Sequence, residues 1–279
     1  MIKLFASDLD GTLLNIDHQS DETIRSGLKK LQDAGFAAAT ATGRSKNLIP
    51  WKELPGMCHV CMNGAVVLDP NLDIIASFPI DPEIIKDLYE SCRHLPVEYH
   101  GLEQMMVTIS QDEMMPLRPN DAFFKAHADF FSRTIYNADL KTLLENPIYK
   151  INVHHPKGRR VSQVDEWVQR HPDQVVDAPC HESLSEITAL GVNKAKGIEA
   201  LGNALKISKD QIAVFGDGGN DLDMLAAFEN SYCPSGGMPE AKKTARYEIG
   251  PFEEYSVIQK MLELANLESP KKTARYEIG

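Results

Sequence analysis

Two short acidic motifs carry the residue types that bind metal ions. Asp8 and Asp10 stand two residues apart, directly after the apolar run Ile2–Ser7. A second motif also follows an apolar run and contains Asp217, Asn220 and Asp221. Carboxylates at the end of a buried strand are costly unless a cation or a substrate requires them. If the two runs are neighbouring strands, three or four carboxylates converge, which favours a hard divalent cation such as Mg²⁺ over a pair of solvated acidic turns.

Three further residues could bind an anion beside such a cation. Thr42 ends another apolar run, and its hydroxyl and the N–H of Gly43 could both donate to a phosphoryl oxygen. Lys194 could balance the negative charge of a phosphoryl group in transfer. Taken singly, Thr42 could equally cap a helix and Lys194 could be one lysine among many. The order of the whole set, Asp-x-Asp, Thr, Lys, Asp-x-x-Asn-Asp, is more informative than any single member.

The elements around the motifs alternate between strand and helix patterns. Ser20 is the expected N-cap of a first helix, and Gly35 occupies the position typical of a left-handed C-cap. The apolar run 36–42 follows, which indicates a strand–helix–strand unit of a parallel sheet. Sites in such sheets lie at the carboxyl ends of the strands, where all the motifs above are placed.

The pattern changes near residue 81, where Asp81 and Pro82 form a helix cap and first turn. We expect an α/β fold with a Rossmann-like parallel-sheet core, residues 1–80 and 184–265, and an inserted α+β domain, residues 81–183. Phenylalanines at helical spacing in the insert are expected to be core residues: Phe123, Phe124, Phe130 and Phe131. Residues 266–279 form a tail in which KKTARYEIG, residues 242–250, is repeated at 271–279. No function is assigned to this repeat.

The motifs together resemble a known family. DLDGT, ATGR, NKAKGIEAL and GDGGNDLDML are similar, in this order, to the four motifs of haloacid dehalogenase superfamily phosphatases. MNGA, residues 62–65, is similar to a stretch of the Cof-like branch of that family, whose large α/β cap lies between the second and third motifs. The resemblance covers about residues 1–265 and implies a haloacid dehalogenase-like core with the insert as its cap.

The resemblance also implies a role for each motif residue. Asp8 would be the nucleophile that forms an aspartyl-phosphate, and Asp10 would be the general acid and then the general base. The implied Mg²⁺ ligands are the Asp8 carboxylate, the Asp10 carbonyl, Asp217 and, directly or through an intervening ligand, Asp221. The implied phosphate-binding groups are Thr42, Gly43, Lys194, Asn220 and the backbone N–H groups near Leu9 and Asp10.

These roles predict a magnesium-dependent phosphatase that hydrolyses small phosphate esters, such as sugar phosphates or related metabolites. The alternatives are a phosphomutase, or a phosphate-ligand-binding protein of the same fold with little turnover. Asp10 and Asp217 argue against a dehalogenase, since displacement of a halide by a carboxylate needs neither an acid for an alcohol nor a Mg²⁺ site.

Composition excludes several other classes. The chain has 279 residues and a net charge of −11, which argues against general binding to nucleic acids or anionic membranes. It has no apolar run of 18 residues, and its five cysteines fit a reducing cytoplasm. The expected partner is a small phosphorylated substrate, and the expected oligomeric state is a monomer or homodimer.

Two features have alternative interpretations. Cys58 and Cys61 could be half of a zinc or redox site, but they fit a short strand that points them to opposite faces. A basic stretch of the insert could contact an anionic substrate or form a solvated turn: His154, His155, Lys157, Arg159 and Arg160.

Overall fold

The computed structural model describes residues 1–117, 127–155, 161–177 and 184–268. Its strands are β1 Leu4–Ser7, β2 Ala37–Ala41, β3 Cys58–Cys61, β4 Val66–Leu68, β5 Ile74–Ser77, β6 Val97–His100, β7 Met105–Val107, β8 Lys150–His154, β9 Val175–Asp177, β10 Leu184–Ala189, β11 Ile212–Phe215, β12 Asn230–Pro234 and β13 Tyr247–Ile249. Its α-helices are α1 Glu22–Asp33, α2 Pro82–Cys92, α3 Gln111–Met114, α4 Ala128–Ser132, α5 Leu140–Leu144, α6 Ser162–Arg170, α7 Lys194–Leu205, α8 Leu222–Ala227, α9 Pro239–Thr244 and α10 Ser256–Leu264.

Eight strands form the first sheet, in the order β13-β12-β11-β1-β2-β3-β4-β5. The pairs from β13 to β3 are parallel, and β1 lies between β11 and β2. The two strands with acidic motifs are therefore neighbours, as their convergence requires. At one edge β4 and β5 are antiparallel, because the connections before and after β4 are too short for a parallel crossover.

Helices cover both faces of this sheet. Apolar residues of α1 and α10, such as Leu28 and Ile258, pack on one face, whereas Ile198 of α7 and Met224 of α8 pack on the other. A parallel sheet that is buried on both faces leaves the ends of its strands as the place for polar groups.

The first helix differs from the expectation at its start. Asp21, not Ser20, is the N-cap of α1, and its Oδ1 accepts hydrogen bonds from the N–H groups of Thr23 and Ile24. Ser20 is wrong as a cap because its hydroxyl donates instead to the carbonyl of Glu53. Gly35 has the expected left-handed conformation, with φ +86°.

The second sheet is antiparallel, in the order β7-β6-β8-β10-β9. One face packs on an apolar cluster that contains Leu88 of α2 and Trp167 of α6. Asp81 caps α2 as expected, by accepting from the N–H of Glu83. Because β10 pairs with β8 and β9, this sheet extends past the expected boundary at residue 183, as far as Ala189.

Cys58 and Cys61 lie on β3 and belong to two different apolar clusters, one on each face of the first sheet. Their thiols therefore point apart, which agrees with the strand interpretation and not with a shared zinc or redox site. Burial also raises the pKa of Cys58 to about 11, so that this thiol is a poor metal ligand.

Other sequence features lie partly outside the described residues. Phe130 is buried beside Leu48 and Met105, as a core residue should be. The expectations for Phe123, Phe124, Lys157, Arg159, Arg160 and the second nonapeptide copy fall outside the described residues. The first copy of the nonapeptide begins within α9 and ends just after β13. Within the described ranges, no helix is both long and apolar enough to cross a membrane.

Candidate active site

The first acidic motif forms a tight turn at the carboxyl end of β1. The N–H of Asp8 continues the β1–β11 ladder by donating to the Phe215 carbonyl at 2.9 Å. The chain then makes a helical turn over Leu9–Leu13, in which Gly11 has φ +75°. A Cβ on Gly11 would lie 2.6 Å from Oδ2 of Asp217, so that glycine is required by both conformation and space.

The second acidic motif meets the first at this turn. The hydroxyl of Thr12 donates to Oδ1 of Asp217 at 2.6 Å, which joins the two strand ends. Asp8, Asp217 and Asp221 each offer a carboxylate oxygen, and the three oxygens lie within 4.8 Å of one another. The structure thus brings together the carboxylates expected to converge.

Lys194 lies inside this cluster with no solvent exposure. Its Nζ donates to Oδ1 of Asp8 at 2.7 Å and to Oδ1 of Asp221 at 2.6 Å. Lys194 is the first residue of α7, and the side chain of Asn193 caps this helix. Gly64 lets the helix start approach closely, since a Cβ there would lie 2.0 Å from the carbonyl oxygen of Asn193.

The cluster places three carboxylates beside a single ammonium group. Burial raises the pKa of Asp8 to about 8, because the attraction of Lys194 only partly offsets it and the neighbouring carboxylates raise it further. Burial also raises the pKa of Asp217. Hard carboxylate oxygens at this spacing, with an excess of negative charge, fit a small divalent cation such as Mg²⁺.

Asp221 already has partners for both of its oxygens. Oδ2 accepts from the N–H groups of Asp217 and Gly218 at 2.9 and 2.8 Å, while Oδ1 accepts from Lys194. This carboxylate therefore holds the turn after β11 and orients Lys194, whereas Asp217 is aimed at the turn after β1.

Asp10 lies beside the cluster but pairs with two residues that the sequence reasoning missed. Arg44 donates through Nε to Oδ2 at 2.9 Å and through Nη2 to Oδ1, and Nδ1 of His18 lies 2.6 Å from Oδ1. Burial opposes ionisation of Asp10, but Arg44 and His18 outweigh it and lower the pKa of this carboxyl. Arg44 could have been found as the last residue of the ATGR motif.

The loop after β2 lies on the other side. Oγ1 of Thr42 accepts from the N–H of Arg44 at 3.2 Å, and the Thr42 carbonyl accepts from the N–H of Asn63. Oδ1 of Asn63 accepts from Nδ2 of Asn220 at 3.1 Å, which fixes the amide of Asn220. Asn63 belongs to the MNGA stretch and was not among the expected site residues.

The second sheet reaches the same loop. Nζ of Lys150 on β8 donates to the Gly43 carbonyl at 2.8 Å and to Oε1 of Glu186 on β10 at 2.6 Å. Both side chains are buried. Neither residue belongs to a sequence motif, because each occupies one position of an ordinary strand whose side chains alternate between the two faces.

Residues 5–262 match the family of haloacid dehalogenase-like hydrolases. The chain belongs to this family. The predicted haloacid dehalogenase-like fold and membership are therefore confirmed, and the eight-stranded sheet is the core of a haloacid dehalogenase-like hydrolase.

Solved structures agree with this fold. A haloacid dehalogenase-like hydrolase from Bacillus subtilis has a TM-score of 0.79 at 21% identity, over 94% of this chain and 100% of that one. One from Bacteroides thetaiotaomicron has a TM-score of 0.78 at 20% identity, over 95% and 100%. A sugar phosphatase of haloacid dehalogenase subclass IIB has a TM-score of 0.75 at 21% identity, over 94% and 99%.

Among sequence relatives is the 5-amino-6-(5-phospho-D-ribitylamino)uracil phosphatase of Bacillus subtilis strain 168. It is 26% identical over 283 residues, which cover 95% of this chain and 98% of the relative. The prediction that the chain is an enzyme of the haloacid dehalogenase type is confirmed, and the relative's name agrees with the predicted phosphoric monoester hydrolase.

Proposed function

We propose that this haloacid dehalogenase-like hydrolase is a Mg²⁺-dependent phosphatase that cleaves small phosphate monoesters through an aspartyl-phosphate. The observation that carries the proposal is the convergence of the Asp8, Asp217 and Asp221 carboxylates within 4.8 Å, with the buried ammonium of Lys194 bound to Asp8 and Asp221. It combines a nucleophile, a place for a divalent cation and a fixed cation for a phosphoryl oxygen, which phosphoryl transfer requires.

The names of two similar proteins support a hydroxyl-rich substrate. One acts on a phosphorylated ribitylamino compound and another is a sugar phosphatase. We therefore propose sugar phosphates or related metabolites as the substrate class. The four described free cysteines are all buried, which supports a reducing, cytoplasmic location. A monomer or homodimer remains our prediction.

In the first step, an oxygen of Asp8 attacks phosphorus as the ester oxygen departs on the opposite side. Lys194, Thr42 and the N–H groups of Gly43 and of the turn after Asp8 would bind the phosphoryl oxygens, and Asn220 would support them. Mg²⁺, held by the carboxylates of Asp8 and Asp217 and the carbonyl of Asp10, would neutralise charge on the nucleophile and the phosphoryl group. Asp221 would act indirectly, by holding Lys194 and the turn after β11.

Asp10 would serve both steps in opposite protonation states. Its pairing with Arg44 and His18 stabilises the carboxylate, which is the form that deprotonates water in the second step. Donation of a proton to the leaving alcohol in the first step requires the protonated carboxyl to turn away from Arg44. Hydrolysis of the aspartyl-phosphate then returns Asp8 as a carboxylate and releases phosphate.

The test separates Asp8 from Asp10. With p-nitrophenyl phosphate the leaving group needs little protonation, so Asp10→Asn should slow the second step by ~10²–10⁴-fold and the first step much less. We expect a burst of about one p-nitrophenolate per active site and a phosphate adduct on Asp8 after acid quench. Asp8→Asn should give neither, and chelation with EDTA should abolish wild-type turnover until Mg²⁺ is restored.

Full wild-type turnover after exhaustive chelation would refute the metal dependence. A burst from Asp8→Asn, or undiminished turnover by Asp10→Asn, would refute the assigned roles. Transfer of the phosphoryl group from Asp8 to a second sugar phosphate in preference to water would identify a phosphomutase. Binding of phosphate without any turnover would identify a ligand-binding protein.

We also propose that the two sheets belong to two folding units. Because β10 pairs with β8 and β9, we propose the boundary at residue 189 in place of residue 183, so that residues 1–80 and 190–265 would form the core unit and residues 81–189 the cap unit. The remaining residues, from 266 onwards, form the tail.

A further inference from the structure

One face of the second sheet is lined by polar side chains. Alternate residues of β6, β8 and β10, such as Tyr99, Ile151 and Ile187, belong to the apolar cluster under α2 and α6. The residues between them point to the opposite face and form two cross-strand rows: Glu98, Asn152 and Glu186, and His100 with Lys150. All five are buried, with 4–7% of each residue exposed.

This polar face is directed at the loop after β2, which contains Thr42 and Gly43. Lys150 donates to the carbonyl of Gly43 at 2.8 Å and thereby joins the face to the residue after Thr42. A Cβ on Gly43 would lie 3.6 Å from Oε1 of Glu186 and 3.5 Å from Nδ2 of Asn220. The face therefore lies beside the site where the phosphoryl group is proposed to bind.

Several buried polar atoms here have no protein partner in the described parts of the chain. They are Oδ1 of Asn152, Nδ1 of His100 and, across the interface, Nδ2 of Asn63. A buried polar group without a hydrogen bond costs about 1–3 kcal/mol, so these three atoms, on the face and on the loop beside Gly43, are candidates for contact with a ligand.

The charged groups of the polar face limit which ligand groups could bind there. The ammonium of Lys150 is already engaged by Glu186 and by the Gly43 carbonyl. Burial opposes ionisation of Glu98, but the imidazoles of His100 and His154, whose Nε2 atoms lie 3.4 and 3.3 Å from its carboxylate oxygens, lower its pKa well below the usual range. What the face offers a ligand is therefore carboxylate, amide and imidazole groups, which match alcohol hydroxyls and do not match an apolar group.

Resting on the proposed phosphatase function, we propose that Glu98, His100, Asn152 and Glu186 form the subsite for the leaving alcohol. The substrate class is then phosphate monoesters of alcohols with several hydroxyl groups. Lys150 fixes the position of the subsite relative to Gly43 through its hydrogen bond to the Gly43 carbonyl. In this arrangement the number of hydroxyls, rather than apolar area, sets the preference among leaving groups.

The test uses ethyl phosphate, glycerol 3-phosphate and sorbitol 6-phosphate, with p-nitrophenyl phosphate as a common reference. The measured quantity is kcat/KM for each alkyl ester divided by kcat/KM for the reference. In the wild type this ratio should rise with the number of hydroxyls. Asn152→Leu, which removes the amide at similar volume, should lower the sorbitol 6-phosphate ratio about tenfold through loss of one to two hydrogen bonds.

The matched control is Gln163→Leu, the same type of change on α6, where Nε2 donates to the carbonyl of Ser91. It lies away from the polar face and should leave every ratio unchanged. If Asn152→Leu does not unfold cooperatively, the isosteric variant Glu98→Gln provides the test. It should lower the sorbitol 6-phosphate ratio about tenfold.

A wild-type ratio no higher for sorbitol 6-phosphate than for ethyl phosphate would overturn the proposal. The proposal would also be overturned if folded Asn152→Leu and Glu98→Gln had the same sorbitol 6-phosphate ratio as the wild type. Failure of the underlying phosphatase function would look different, since the wild type with Mg²⁺ would then release no p-nitrophenolate at all.

Discussion

The two sheets of this hydrolase place polar groups in different ways. The parallel sheet is covered by helices on both faces, so its functional groups lie at strand ends, in contiguous stretches such as residues 8–12 and 217–221. The antiparallel sheet has one apolar face, and its polar groups occupy alternate positions on the other face, which is also buried. Strand ends suit a fixed chemistry, whereas single side chains on a sheet face can be replaced without a change of the backbone.

A pair of matched lysines tests this difference most directly. Lys194 and Lys150 are both buried and both pair with carboxylates, one at the strand ends and one on the sheet face. Lys194→Met should lower kcat for p-nitrophenyl phosphate by ~10²–10³-fold, because a fixed charge beside the phosphoryl group is lost. Lys150→Met should lower it by less than about tenfold, because the lost contact lies on the leaving-group side. Equal losses, measured at saturating Mg²⁺, would show that both sheets serve the transfer step.

A pair of matched glycines tests the space at the strand ends. Gly11 and Gly35 both have positive φ, +75° and +86°, but a Cβ at Gly35 meets nothing within 4 Å. Gly11→Ala should lower kcat by about 10²-fold, since the new Cβ displaces Asp217. Gly35→Ala should leave kcat unchanged. Both should lose about 1–2 kcal/mol in the free energy of unfolding, measured in urea, from backbone strain. An active Gly11→Ala would mean that Asp217 has another productive position.

Excision of the cap unit tests whether the polar face of the antiparallel sheet alone sets the preference among leaving groups. Replacing residues 81–189 with a short Gly/Ser linker should leave a core that unfolds cooperatively and still hydrolyses p-nitrophenyl phosphate. The kcat/KM preference for sorbitol 6-phosphate over ethyl phosphate should fall to about one, because the hydrogen-bonding face is gone. Loss of cooperative unfolding, measured by thermal denaturation, would show that the two sheets form one folding unit.

The smallest expected effect concerns His59 on β3, a structural residue of the first sheet, and the pH dependence of stability. It is buried beside Thr40, and burial lowers its pKa to about 4. Since the unfolded chain binds this proton near pH 6.5, the free energy of unfolding should fall as the pH decreases from about 6.5 towards 4, by at most ~1.4 kcal/mol per pH unit. His59→Gln should therefore reduce the loss of stability between pH 7 and pH 5 by about 1–2 kcal/mol. An unchanged pH dependence in urea titrations would show that another group accounts for it.

The strand-end site could be predicted because its residues are contiguous and follow apolar runs. Asp8, Asp217 and Asp221 meet as expected once β1 and β11 are neighbours. The pairing of Asp10 with Arg44 could not be predicted, because it depends on how the loop after β2 folds back. Asp21 displaced Ser20 as the helix cap because both are good capping residues at adjacent positions, and only the tertiary contact of Ser20 with Glu53 decides between them.

The sheet face was not predicted from sequence for a different reason. Lys150, Asn152 and Glu186 stand in alternating strands that resemble any half-buried strand, and their meeting depends on register across β8 and β10. For the same reason, the pairing of β10 with β8 and β9, beyond residue 183, was not predicted. Long-range strand pairing decides both features, and a single sequence does not encode it in any local pattern.

The central position of β1 has a consequence for the order of assembly. One neighbour, β2, follows within a few dozen residues, but the other, β11, begins at Ile212, after every strand of the antiparallel sheet has been synthesised. Until then the nascent chain carries β1 with one unpaired edge, a surface open to wrong pairing. The antiparallel sheet draws only on residues 97–189 and can form meanwhile. Docking of β11 then closes the edge and delivers Asp217 and Asp221 to Asp8, so that the proposed catalytic centre is completed only after the antiparallel sheet has been synthesised.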